Sequence, residues 1–132
     1  MRLVACGYTQ VEGVDYEETF ALVMRYVSFR TILAIAAQQR MKGIQMDFSN
    51  AFLNGKLDKP LFMSQPQGFT ASGDEPKVCL LQKPIYGLKQ SARAWFLELS
   101  GSLRDEGYSP TIADSCVWYK ISDDRKLSLI SI

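Results

Sequence analysis

Ile44-Gln45-Met46-Asp47-Phe48-Ser49-Asn50-Ala51-Phe52-Leu53-Asn54-Gly55 is the stretch on which the reading of this chain turns. Ile44, Met46 and Phe48 alternate with Gln45 and Asp47, the period of a strand with one face in a core and the other polar. Asp47 falls on the polar face. Ser49 to Leu53 then predicts a loop or short helix, and Asn54-Gly55 a turn. Taken alone, a strand aspartate is more often a surface group than a ligand, and an aromatic such as Phe52 at a strand-to-helix junction is more often core.

Working outward, the segment upstream predicts a helix from Ser28 to Gly43, with Ser28 as N-cap and Phe29, Ile32, Leu33, Ala36 and Ala37 recurring at helical spacing. Before it, Arg2 to Tyr8 predicts a short strand and turn, and Val11 to Glu18 an acidic loop. Downstream, Leu61 to Met63 predicts a short strand and Val78 to Leu81 a buried one, separated by a loop marked by Pro66, Gly68, Gly73 and Pro76. Ser91 caps a predicted helix running to about Glu106, with Ala94, Trp95, Leu97, Leu99 and Leu103 on its core face. Ser115 to Ile132 predicts a hairpin turning at Ser122 to Lys126, with Asp123 and Asp124 in a solvated tip. Helical and strand periods mixed in this way, without repeats, give an α+β unit.

Composition narrows the chemistry. The 132 residues contain no histidine, which excludes Ser-His-Asp and Cys-His nucleophile systems and histidine-ligated metals. Any catalysis rests on carboxylates, lysine, tyrosine or a bound metal. Three cysteines far apart, Cys6, Cys79 and Cys116, form no CxxC pair, and the expectation is buried reduced thiols. Fifteen basic against fourteen acidic side chains announce no nucleic-acid partner by overall charge. A local patch does stand out: Lys83, Lys89 and Arg93 lie between Val78 and Arg93 with no acid among them, interleaved with Tyr86 and Gly87. It reads equally as a phosphate-contacting segment and as a solvated loop leading into a helix. Neither a leader nor a spanning stretch is evident, so the expectation is an intracellular protein without membrane partners.

Five ordered blocks carry a resemblance. They are Arg2-Leu3-Val4-Ala5-Cys6-Gly7-Tyr8-Thr9-Gln10, Gly13 to Phe20, Gln45-Met46-Asp47 with Ala51 to Gly55, Gln65-Pro66-Gln67-Gly68-Phe69, and Tyr86 to Trp95. In this order and spacing the chain resembles the copia-type retrotransposon reverse transcriptases, RNA-directed DNA polymerases, over nearly its whole length. The resemblance implies a partial right-hand polymerase fold, the fingers and first half of the palm, with a mixed sheet backed by helices. Asp47 then matches the catalytic aspartate that binds both magnesium ions, and the carbonyl of Phe48 helps hold one. Hard oxygen donors suit magnesium, and two such ions serve in-line phosphoryl transfer. Phe52 matches the aromatic that excludes a ribose 2′-hydroxyl, a task for a stiff wall.

The same resemblance makes Tyr86, Gly87, Lys89, Ser91 and Arg93 nucleic-acid contacts, Gln90 part of the nucleotide pocket, and Arg2 a triphosphate contact. Its substrates are an RNA or DNA template-primer and deoxynucleoside triphosphates. Cys6, Leu22 and Ala92 depart from the family, which has lysine, proline and proline there. The family also continues past the strand matching Leu127 to Ile132 into a Tyr-x-Asp-Asp hairpin. The expectation is therefore that residues 1-132 are a partial reverse transcriptase domain, inactive when isolated. The competing readings are a noncatalytic remnant that binds RNA or single-stranded DNA, and a structural fragment without activity.

Overall fold

The computed structural model describes residues 3–70, 73, 74 and 76–132. Helix and strand mix as the α+β expectation requires, in two compact units: Met1–Phe20 with Asn50–Glu98, and Ala21–Ser49 with Leu99–Ile132.

In the first unit, β1 (Leu61–Met63) pairs antiparallel with β2 (Cys79–Leu81), Leu61 opposite Leu81 and Met63 opposite Cys79. Both short strands were expected, but β2 is not a buried one. Leu61 is buried while Leu80 is 49% exposed, because a two-stranded ribbon has one covered face and nothing to cover the other. The long loop between them is pinned by Gln65, whose amide donates to the carbonyls of Asp74 (2.6 Å) and Lys77 (2.7 Å). The strand expected over Arg2 to Tyr8 is absent among the described residues. In its place is one ladder-like bond, Ala5 N–H to the Tyr86 carbonyl (2.8 Å), followed by a 3-10 turn over Gly7–Thr9. A second 3-10 turn, Ala51–Asn54, realises the short helix expected there.

Helix α2 spans Ser91–Asp105, within a residue of expectation, and its residues through Glu98 belong to the first unit. Ser91 is the helix's first residue rather than the one before it. Its buried hydroxyl donates to the Ile85 carbonyl (2.6 Å), because the chain folds back over Ile85 to Ser91 in turns that bring that carbonyl within reach.

In the second unit, α1 (Tyr26–Gln38) begins two residues before the expected cap. Ser28 lies inside the first turn, and the cap comes from elsewhere in the chain: the Asp114 carboxylate accepts the Arg25 N–H (2.9 Å). The helix ends before Gly43, in a Schellman closure with Met41 N–H on the Ala36 carbonyl (2.8 Å) and Arg40 at φ 53° in the left-handed position glycine usually takes. The C-terminal hairpin forms as expected: β4 (Val117–Ile121) and β5 (Leu127–Ser131) are antiparallel, with β3 (Ser109–Pro110) on the other side of β4. Cys116, Val117, Trp118 and Leu103 are the buried centre, with the Arg104 guanidinium 5.2 Å from the Trp118 ring centroid.

The largest departure is Ile44 to Phe48. It belongs to no ladder among the described residues, and Ile44 is 86% and Met46 75% exposed. Alternation prepares a strand, but a strand exists only where a neighbour completes its hydrogen bonds. Of the cysteines, Cys116 is buried as expected, whereas Cys6 is exposed.

Candidate nucleic-acid interface

The Tyr86 to Arg93 block is set against the N-terminal segment by backbone contact. A Cβ placed on Gly87 (φ +92°) would lie 2.0 Å from the Ala5 carbonyl oxygen, and one on Gly7 would lie 1.9 Å from the Gly87 carbonyl oxygen. Each glycine therefore makes room for the facing segment's backbone, and Gly87 needs glycine's positive φ as well. The backbone that Gly87 approaches most closely is that of Ala5 in the same chain. Next to it, the Tyr86 and Phe52 rings pack at 4.6 Å between centroids, tilted by 53°. A cleft of about 470 Å³ opens in this unit, lined by Leu61, Leu81 and Leu88 together with Thr9, Gln10 and Asp15.

The polar groups of the block are engaged by the acidic loop. Lys89 donates its N–H to Gln10 Oε1 (2.8 Å), and its ammonium meets the Gln10 carbonyl (3.2 Å), the Tyr16 hydroxyl (3.1 Å) and the Tyr16 ring face (4.8 Å). Gln90 is buried; its Oε1 accepts from Gln10 Nε2 (3.1 Å) and its Nε2 donates to the Asp15 carbonyl (3.1 Å). Arg93 pairs with Glu18 (2.5 Å) and donates to the Phe20 carbonyl (3.4 Å). Lys59 pairs with Glu17 (2.8 Å), and that hydrogen bond, then the nearby charge, lowers the Glu17 carboxyl pKa. Lys89 and Arg93, read as cations available to phosphate, thus first hold the loop at residues 10 to 20. Gln10, Asp15, Tyr16 and Glu18 were not singled out individually from sequence. An acidic loop and an acid-free basic block were both visible, and their excess charges of opposite sign were the available signal.

The candidate metal ligand lies in the second unit. Asp47 is exposed on a segment without assigned helix or strand, and among the described residues its carboxylate has no hydrogen-bond or ion-pair partner; Phe48 is 48% exposed. Asp123 and Asp124 occupy an exposed turn as expected, with Asp124 held by Lys126 and Ser122 and its pKa lowered by those bonds. No group of three or more Cys, Asp or Glu gathers among the described residues. The donors at Asp47 and Phe48 are of the hard-oxygen kind magnesium takes, yet one carboxylate and one carbonyl are too few to hold a pair of dications. Arg2 lies outside the described residues.

Asp114 is the other functional-looking carboxylate that sequence reading passed over. It is buried, and hydrogen bonds from Ser28, then from the Arg25 and Cys116 N–H groups (2.9 and 3.0 Å), hold its carboxyl below the usual range. Its work is structural: it anchors the start of α1 to the turn before β4.

Comparison with known proteins decides the family. The profile of the reverse transcriptase (RNA-dependent DNA polymerase) family matches residues 1–132. The Retrovirus-related Pol polyprotein from transposon TNT 1-94 of Nicotiana tabacum is 40% identical over 119 residues, 90% of this chain. Those from transposons RE2 and RE1 of Arabidopsis thaliana are 44% and 42% identical over 117 residues, 89% of it. The chain belongs to the copia-type reverse transcriptases. This reverse transcriptase segment spans 9%, 8% and 8% of those three relatives' own lengths. No solved structure matches it. The reverse transcriptase family works on template-primer and nucleotides and is generally metal-dependent. No helix among the described residues is long and apolar enough to cross a membrane.

Proposed function

We propose that this reverse transcriptase segment supplies the fingers and first half of the palm of an RNA-directed DNA polymerase. In this reading Asp47 and the Phe48 carbonyl are donors to magnesium, Phe52 is the sugar gate, and Tyr86 to Arg93 together with Gln90 line the template and nucleotide path. The observation that supports it most is the packing of Phe52 on Tyr86 at 4.6 Å. The residue proposed to test the sugar rests against the block proposed to grip the template, so the wall facing the nucleotide is braced rather than free to swing.

Each residue has a definite task. Phe52 excludes a 2′-hydroxyl by volume, since an apolar wall discriminates by shape. Gly87 lets backbone approach closely, and Lys89 and Arg93 present positive charge to phosphate. Magnesium, when bound, supplies charge stabilisation for phosphoryl transfer. Asp47 brings one carboxylate to that end, and the 132 residues alone are expected to support no DNA synthesis.

The test replaces the corresponding segment of an active copia-type polymerase with this chain and measures primer extension. The chimera is expected to extend primers, and its Asp47→Asn variant to lose extension by ~100-fold or more, the scale on which losing a charge-stabilising group acts. Full activity of that variant, or magnesium-dependent synthesis by the 132 residues alone, would overturn the assignment. In the same chimera, Phe52→Ala is expected to admit ribonucleotides about tenfold more readily while slowing correct incorporation less. Unchanged discrimination in the folded variant removes Phe52 as the gate.

A further inference from the structure

The loop at residues 10 to 16 does more than neutralise charge, because its contacts to Lys89 come from two different parts of one residue. Gln10 Oε1 accepts the Lys89 N–H (2.8 Å) and the Gln10 carbonyl accepts from the Lys89 ammonium (3.2 Å). The polarity of the arrangement is forced. Oε1 is committed to the Lys89 N–H, so Nε2 must be the atom donating to Gln90 Oε1 (3.1 Å), and Gln90 Nε2 must then donate to the Asp15 carbonyl (3.1 Å). A backbone donor at one end and a backbone acceptor at the other thus fix both amides in one orientation. The end of the Lys89 side chain is held by the Tyr16 hydroxyl (3.1 Å) as well as by Gln10. An ammonium has three protons, and these two contacts leave one for an outside acceptor on an exposed residue.

We propose that Gln10 is a positioning residue for nucleic-acid binding, holding Lys89 by backbone and ammonium so that its remaining proton is presented to a template phosphate. The proposal rests on the template-binding reading given above for Lys89. Lysine is a long, rotamer-rich side chain, and holding it before contact removes an ordering cost that binding otherwise bears. Gln10 carries no charge of its own to the phosphate; it acts through Lys89.

The experiment titrates the 132-residue protein against a fluorescein-labelled single-stranded DNA of about 20 nucleotides, by anisotropy across a salt series. Lys89→Met is expected to weaken binding and to reduce the slope of log affinity against log salt by about 0.7, one phosphate contact on a single strand. Gln10→Met, of similar size but without the amide, is expected to weaken binding about three- to tenfold with the slope unchanged, the charge being present but no longer held. In the Lys89→Met background, Gln10→Met is expected to have no further effect on affinity. An unchanged affinity for Gln10→Met, or an equal loss in both backgrounds, overturns the proposal and leaves the template-binding reading standing. Absence of measurable binding by the unsubstituted protein overturns that reading and the proposal with it. Should Gln10→Met fail to fold, Tyr16→Phe removes the hydroxyl's hold on the ammonium, keeping the ring face beneath it, without touching the backbone. The same pattern is expected of it, and the same two results overturn the proposal.

Discussion

Around Tyr86 to Arg93 the polar side chains are engaged: Lys89, Gln90, Ser91 and Arg93 each meet a named partner, and two glycines let backbones touch. Ile44 to Phe48 is the opposite case, a segment in neither helix nor strand, where the Asp47 carboxylate has no partner among the described residues and Ile44 and Met46 are open to solvent. A grip on a polyanion can be preorganised by neutral and acidic groups of the same unit, because each cation keeps donors to spare. A magnesium-binding carboxylate gains nothing from protein cations or donors that compete for its oxygens. It is completed by other carboxylates and by the metal itself. The contrast teaches that a functional segment's degree of order follows from what completes it.

That comparison can be broken most directly at Gly87. Valine there would place a Cβ 2.0 Å from the Ala5 carbonyl oxygen at a φ of +92° that a β-branched residue cannot hold. The expected cost is about 3 kcal/mol or more, read by urea denaturation. A Gly87→Val protein with unchanged stability would show that the close approach is not what orders this block.

Polar order in the second unit is expected to reside at Asp114 and not at Asp47. Asp114→Asn should cost about 1–2 kcal/mol by loss of a charged acceptor at the start of α1. The pH dependence has a definite sign. The Asp114 carboxyl is held below its usual range in the folded state, so the unfolded chain takes up the proton first as pH falls. Its contribution is fully present above about pH 4, the ordinary aspartate value, and is lost as pH falls through the lower folded value. Thermal melts of the wild type and Asp114→Asn should converge as the pH drops below that point. A gap that stays constant from neutral to strongly acidic pH refutes the assignment.

The smallest expected effect sharpens the contrast. Asp47→Asn should change the stability of the chain by less than about 0.5 kcal/mol, as at exposed sites away from packing or paired charge. Measured beside the loss of extension expected of the chimera, it separates a carboxylate used for chemistry from one used for folding. A large destabilisation would instead mark Asp47 as a structural residue.

By itself, the sequence determined what local chemistry can determine. The period of Ser91 to Glu106 yielded α2 nearly to the residue, the turn-forming run at Ser122 to Lys126 yielded the β4–β5 hairpin, and the five ordered blocks yielded the family. The first two rest on residues close together in the chain, and the third on the order and spacing of five local blocks. Tertiary structure alone decided what depends on distant groups. It made Asp114, 89 residues away from Arg25, the cap that Ser28 was expected to be, and closed α1 after Gln38 through the left-handed Arg40 rather than at Gly43. It turned Lys89 and Arg93 toward Gln10, Tyr16 and Glu18, 73 to 79 or so residues upstream. It left Ile44 to Phe48 without a ladder, because a period of two states which face a strand would bury and is silent on whether a neighbour is there to complete it.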